Sequence, residues 1–500
     1  MRDRIIDDQI RREREIFIRL LKEEKGEAIC TLASSYHDGA PCHIFAVTHG
    51  SFNICFMIQF NDPLTTPADR WVVRIPFPGR VPWIDEKIDS EIATMMYIPP
   101  DEYSIGSLTM ARYIAKNTTI PIPKIHAWSY EAQSPIGHAF IIMDHVQGTP
   151  LNALLFRREE RWAGSPTHPS PDLARVHEQL ADIYIQLRGL EFPEIGALGM
   201  PTSDSSGITI RHRPLPIEVA LQEVEKLKPT EFFPEKKTFK TAREYIQALV
   251  KLGHNRLVRA EDPDMGSLEV ASRVALAHNE FYKHMLTRWQ WRTKSKPFVL
   301  MHGDLTLHGN NLLWDDKLNL VAVLDWEWCH AVPVSFFIPP AWLGGFYSNP
   351  IRELCCSSVG YFLEVKAFCM SIVARSKQSP LETEWQQLPQ EPHCTLVLAL
   401  LHPEAVDDVY WDSFIYRFYS PDGEKVAEER LMAFLKRPDV NDFLNRRVAS
   451  QKRHDEKYQV YAGQVQFAFS VLGFLISTTC RPPYCFAPCE QSNPNALCVF

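Results

Sequence analysis

The residues best suited to chemistry fall in one stretch, VLMHGDLTLHGNNLLWDDKLNLVAVLDWEW, at positions 299–328. Val299, Leu300 and Met301 form a short apolar run ending at His302-Gly303-Asp304, the pattern of a strand that delivers an acid to a loop. Asn310 and Asn311 follow, then apolar Leu312 and Leu313 and a turn signal at Asp315-Asp316-Lys317. A second apolar run, Leu320 to Leu324, ends at Asp325. Phosphoryl transfer from a nucleotide needs this set of groups. One carboxylate accepts or orients the proton of the attacking hydroxyl, while an amide and another carboxylate hold Mg²⁺ against the phosphates. His-Gly-Asp alone would be an ordinary strand-to-turn tripeptide; the second strand with Asp325-Trp326-Glu327 gives it weight.

With these residues the stretch resembles the aminoglycoside phosphotransferase and choline kinase-like family, whose signature pairs His-Gly-Asp and a downstream Asn with a later Asp-Trp-Glu. The resemblance implies an α+β, protein kinase-like two-lobed fold: a small antiparallel-sheet N-lobe with one main helix, and a larger, mostly helical C-lobe. It implies ATP and Mg²⁺ as cofactors, Asp304 as catalytic base, and Asn311 and Asp325 as metal ligands. The family usually places its Asn five residues after the catalytic Asp. Here Leu305 to Gly309 precede Asn310, so Asn311 comes two places late, which reads as an insertion in a bulged loop, with Asn310 the alternative ligand. After Asp325, Trp326-Glu327-Trp328 and Pro339-Pro340-Ala341-Trp342-Leu343 resemble the fungal-type branch of the family. Glu327 either faces the substrate pocket or hydrogen-bonds the catalytic loop, and the second is the expectation.

The elements that must position these groups are legible upstream. Residues 42–60 alternate like two strands joined at Gly50-Ser51-Phe52-Asn53. A Gly-Ser turn there lets backbone N–H groups approach phosphates, and the resemblance puts its phosphate-covering hairpin, Gly50, Ser51 and Phe52, at this place. Trp71 to Pro76 reads as the next strand, carrying Arg74 where the family usually has a phosphate-contacting Lys. Arg can grip a carboxylate or phosphate with two parallel donors, and its expected partner is Glu91, in the helical stretch Lys87–Met96. Ala139 to Met143 reads as a buried strand. The segment after it is, by resemblance, the hinge that reads adenine through main-chain atoms of Asp144 and Val146.

Beyond residue 147 the spacing turns helical: Leu173, Val176, Leu180, Ile183, Tyr184 and Leu187, then Val270, Val274, Ala277, Phe281 and Met285. Further helices are expected within 107–128, at Lys425–Leu435 and at Val460–Ile476. Residues 200–240, rich in Pro and Ser, read as a long loop or insertion, with His212 and its charged neighbours as solvated surface. The expected units are an N-terminal helical extension at 1–40, the nucleotide-binding N-lobe at 41–147, the C-lobe at 148–477 and a disordered tail at 478–500.

At 500 residues, with 45% hydrophobic content and a formal net charge of −8, the chain is globular, and neither nucleic acid nor an anionic membrane is favoured as a partner. No apolar run is long enough for a bilayer, and the acid-rich N-terminus is unlike a secretory or transit segment, so a cytoplasmic location is expected. The 12 cysteines lack paired zinc spacing, and Cys30, Cys42, Cys55 and Cys329 read as buried thiols. No Gly-x-x-x-x-Gly-Lys-Ser/Thr loop, His-Glu-x-x-His or Gly-x-Ser-x-Gly occurs. Asp325-Trp326-Glu327 in place of Asp-Phe-Gly points to a small-molecule hydroxyl acceptor rather than a protein. The other class left open is a pseudokinase acting as a binding or scaffold protein. Arg74 and the long Asp304–Asn311 spacing favour it, and retention of both aspartates opposes it.

Overall fold

The computed structural model describes residues 3–61, 69–97, 118–156, 171–202, 208–262, 265–288, 297–305, 310–344, 350–356, 358–386, 393–415 and 422–479. The helix expected after residue 107 falls largely outside these. So does the tail, apart from residues 478 and 479, which end a long helix, Pro438–Thr479.

A five-stranded antiparallel sheet, ordered β1-β2-β3-β5-β4, forms the N-terminal part. Its strands are β1 (Cys42–His49), β2 (Asn53–Phe60), β3 (Arg70–Pro76), β4 (Ile125–Ser129) and β5 (Phe140–Asp144). Strand alternation divides its side chains between two cores. Phe140 and Ile142 face a small core with Leu21, Ile29 and Leu32, from helices α1 (Arg4–Glu24) and α2 (Gly26–Ser35). Ile141 and Met143 face the large core, which also takes Ile88, Ile92 and Met95 from helix α3 (Ile84–Tyr97). The far end of α1 is tied to the C-terminal helices: Arg4 pairs with Asp262 (2.6 Å) and Asp455, and His454 meets Asp3 at 3.0 Å.

The described residues after β5 are mostly helical and hold two small sheets that bracket the residues singled out from sequence. One orders β13 (His330–Pro333), β10 (Phe298–Met301) and β7 (Glu191–Phe192); the other orders β12 (Leu320–Val323), β11 (Leu312–Trp314) and β6 (Thr149–Pro150). The apolar runs read as strands from sequence are therefore strands, completely buried in β10 and β11. Helices at Pro171–Gly189 and Leu268–Arg288 match the periodic stretches.

Residues 200–240 depart from the loop expectation. They include strand β9 (Thr209–His212), paired with β8 (Ala197–Gly199), and a helix at Ile217–Val224. Nor is His212 solvated: its Nε2 lies 2.6 Å from Asp89 Oδ2, and Arg213, only 1% exposed, holds Glu86 with two donors at 3.1 and 2.6 Å. Both acids are on α3, so this segment clamps the helix from the C-terminal side. Of the cysteines expected to be buried, Cys329 is, whereas Cys30, Cys42 and Cys55 are partly buried.

Candidate active site

Between the five-stranded sheet and the two small sheets lies a cavity of about 470 Å³. All the residues singled out from sequence line it: Gly50, Ser51 and Phe52 from the β1–β2 turn, Arg74, Glu91, Asp144, Val146, Asp304, Asn311 and Asp325. Asn310 lines it too.

The two acids reach the cavity by different local devices. β10 ends at Met301, and Gly303 follows with φ +86°, in the left-handed region that glycine adopts freely. A Cβ at Gly303 would also lie 2.4 Å from the Trp328 carbonyl oxygen, so nothing larger fits the turn that presents Asp304. Behind it, the Trp342 indole donates to the Leu305 carbonyl at 2.8 Å. Asp325 itself has φ +60°, a conformation uncommon outside glycine and concentrated at functional sites. His302 couples the two loops. It is 2% exposed, and its Nε2 donates to the Leu324 carbonyl at 2.8 Å; burial pushes its pKa down to about 4, so the ring stays neutral.

Asn311 donates from Nδ2 to Asp304 Oδ2 at 2.7 Å, and its own carbonyl accepts from the Leu324 N–H at 2.8 Å. The side-chain oxygen of Asn311 has no hydrogen-bond partner among the described residues. Burial pushes the Asp304 carboxyl up to about 6; Asn311 works against this, and the nearby charges of Asp325 and Glu327 add to it. The positions 306–309, which hold the lengthened spacing, lie outside the described residues.

Arg74 and Glu91 form the expected ion pair, through Nη1, and both are buried. The pair belongs to a larger cluster. The other nitrogen of the fork, Nη2, is 2.8 Å from Asp325 Oδ1 and 3.0 Å from Glu327 Oε2. Burial alone would lower the Arg74 pKa, but the carboxylates of Glu91, Asp325 and Glu327 hold it well above its ordinary value. Glu327 corrects the sequence reading: its described partners are not on the catalytic loop. It is 5% exposed and takes Arg74, the Asn53 amide at 2.9 Å, and Lys87. Lys87 and Arg74 keep its carboxyl below the usual range against the effect of burial.

Lys87 and Asn53 were not legible as site residues. The one available signal was spacing: Lys87 precedes Glu91 by four positions, so the two share a helix face, which Thr94 and Met95 continue.

At the sheet's edge, the Gly50 N–H donates to the Asn53 carbonyl at 3.0 Å and closes the β1–β2 turn, and the N–H groups of Ser51 and Phe52 have no backbone partner among the described residues. The Asp144 N–H donates to Lys124 at 2.9 Å, and that of His145 to Arg70 at 2.9 Å. The Val146 N–H has no partner among the described residues. Asp325, its side chain 41% exposed, and the Asn311 amide present oxygen donors of the kind that hard divalent cations prefer.

Comparison with known proteins adds a family. The model of the phosphotransferase enzyme family matches residues 64–336, more than half of the chain. A clavilactone A biosynthesis cluster protein Y of Ampulloclitocybe clavipes is 23% identical over 251 residues, 49% of this chain. That match spans 55% of the relative, little more than half its length. Among solved structures, an ethanolamine kinase of Plasmodium vivax is 13% identical with a TM-score of 0.34, covering 80% of this chain and 83% of its own. An aminoglycoside phosphotransferase of Alicyclobacillus acidocaldarius is 9% identical with a TM-score of 0.33, covering 83% and 93%. Among the described residues, no helix is long and apolar enough to cross a membrane.

Proposed function

Because this chain belongs to the phosphotransferase enzyme family, we propose that it is an ATP- and Mg²⁺-dependent kinase that moves the γ-phosphoryl group to a hydroxyl of a small-molecule acceptor. The observation that carries this reading is the meeting of Asp304, Asn311 and Asp325 with the Arg74–Glu91 pair around one cavity. Residues 41–147 are then the nucleotide-binding lobe and residues 148–477 the lobe that walls the acceptor.

Asp304 is the base. One of its oxygens is held by Asn311, which leaves the other to accept the proton of the acceptor hydroxyl. A carboxyl raised to about 6 is ionised at neutral pH and still basic enough to share a proton as the hydroxyl attacks. Asp325 and the Asn311 oxygen would hold Mg²⁺, which when bound neutralises charge on the phosphates. Arg74, freed from Asp325, would grip the phosphate chain, under the amides of Ser51 and Phe52. Val146 and Asp144 would bind the adenine edge through main-chain atoms. Catalysis is then mainly positioning and charge neutralisation.

Melting of the purified protein with ATP, with and without Mg²⁺, tests the reading, because a ligand that binds only the folded state raises the melting temperature. A Mg²⁺-dependent rise that Asp325→Ala abolishes supports the kinase. No rise at millimolar ATP refutes nucleotide binding and turns the search to protein partners.

A further inference from the structure

We propose that Lys87 is a positioning residue: by neutralising Glu327 it leaves Arg74 able to exchange Asp325 for a nucleotide phosphate. This rests on the kinase reading above and extends it to a residue outside the cavity lining.

Lys87 is 2% exposed, and among the described residues its ammonium meets one carboxylate, Glu327, and two ring faces, Phe52 at 5.9 Å and Trp328 at 5.4 Å. An ammonium is removed from water this far only where a charge compensates it, because its desolvation costs several kcal/mol. The cluster explains the arrangement. Arg74 and Lys87 face Glu91, Asp325 and Glu327, so the acids outnumber the cations. Nη2 of Arg74 is shared between Asp325 and Glu327. For Asp325 to take a cation and the guanidinium to take a phosphate, that nitrogen must leave Asp325. Glu327, at 3.0 Å, is the group that would keep it.

Three nitrogens converge on the same oxygen of Glu327: Lys87 Nζ as an ion pair, and Asn53 Nδ2 and Arg74 Nη2 as hydrogen-bond donors. With Lys87 present, Glu327 keeps a cation when Arg74 turns away. Without it, Arg74 is the only cation among the described residues left to a buried carboxylate and is held in the acid cluster. An arginine at 74 sharpens the need. Its fork reaches Glu91 with one nitrogen and two further acids with the other, a span that a single ammonium cannot cover. Lys87 also acts on the turn, since Asn53 and Phe52 flank its contact with Glu327, and the Phe52 ring packs edge-on against Trp328 at 5.0 Å.

Calorimetric binding of Mg·ATP and of adenosine to the full chain tests the proposal, because adenosine has no phosphates and reports the adenine site alone. Lys87→Met keeps the apolar stem and removes the charge. It is expected to weaken Mg·ATP binding about tenfold or more while leaving adenosine within about twofold. Lys87→Arg is expected to keep most of the Mg·ATP affinity. Adding Glu327→Gln to Lys87→Met removes the orphaned carboxylate and should return Mg·ATP affinity to that of Glu327→Gln alone. Unchanged Mg·ATP affinity in Lys87→Met, an equal loss for both ligands, or no recovery in the double variant overturns the assignment. Should Lys87→Met alone fail to fold, Lys87→Gln, which removes the charge but keeps a donor for Glu327, takes its place in the same comparison, and Mg·ATP affinity equal to that of the unaltered protein overturns the assignment. If the unaltered protein binds no Mg·ATP, the kinase reading fails, and that result is distinct from failure in the variants alone.

Discussion

Replacing Asp304 with Asn should slow transfer by orders of magnitude and yet stabilise the protein. The carboxyl's pKa rises from 3.8 to about 6, chiefly through burial, so its anion is a strained occupant of the site. At about 1.4 kcal/mol per unit this is roughly 3 kcal/mol for a group wholly removed from water. Asp304 is partly exposed at the cavity, which reduces the expected gain on neutralisation to about 1–2 kcal/mol. The Asn oxygen can still accept from Asn311, so the local bond survives the change. The sign follows from linkage. A carboxyl raised in the folded state costs stability fully above about pH 6, progressively less as pH falls toward 3.8, and nothing below. Denaturant midpoints for the two proteins should therefore differ most at pH 7.5, by about half as much at pH 5, and hardly at all near pH 3.8. Steady-state transfer should fall by roughly 10²–10⁴ from loss of the base. The unaltered enzyme should lose kcat/KM as pH drops through about 6, where Asp304 becomes protonated. No stabilisation at pH 7.5, or a gain equally large at pH 3.8, refutes the buried-anion argument. A variant within tenfold of the parent removes Asp304 as base.

Three further changes probe the rest of the site. Asp325→Ala should abolish the Mg²⁺-dependent part of the melting shift with ATP; a shift that survives places the metal elsewhere. Arg74→Lys leaves one ammonium where a fork spanned Glu91, Asp325 and Glu327, so Mg·ATP affinity measured by calorimetry should fall about tenfold without being lost. An effect no larger than that of a surface substitution would confine Arg74 to structure. Gly303→Ala forces a side chain into φ +86° and to within 2.4 Å of the Trp328 carbonyl, so a loss of about 2–4 kcal/mol is expected in denaturant titration. A loss below about 0.5 kcal/mol would show that the turn relaxes without cost.

What the sequence revealed, and what it hid, divides by the range of the forces involved. Strand β10 ending at Met301, the hairpin β11–β12 and helix α3 are declared by local apolar patterning, and the pairing of Arg74 with Glu91 was legible because both stood at expected places on a strand and a helix. The fate of 200–240 was hidden because Pro and Ser composition speaks for loops. What folds the segment is a set of partners far away in the chain: Asp89 for His212, and Glu86 for Arg213, whose guanidinium also stacks on Trp83 at 3.9 Å. Glu327 was misassigned for the same reason. A Glu after Asp-Trp can turn either way from its own loop, and only the assembled cluster places it against Asn53, Arg74 and Lys87. Lys87 was the harder case, since a lysine on a helix is ordinarily read as solvated. Its burial is forced by Glu327, a residue 240 positions later in the chain, and by the rings of Phe52 and Trp328. Charges with local partners can be read from spacing. Charges whose partners lie hundreds of residues away cannot, and in this molecule those include the acids Asp325 and Glu327 that meet Arg74 and Lys87.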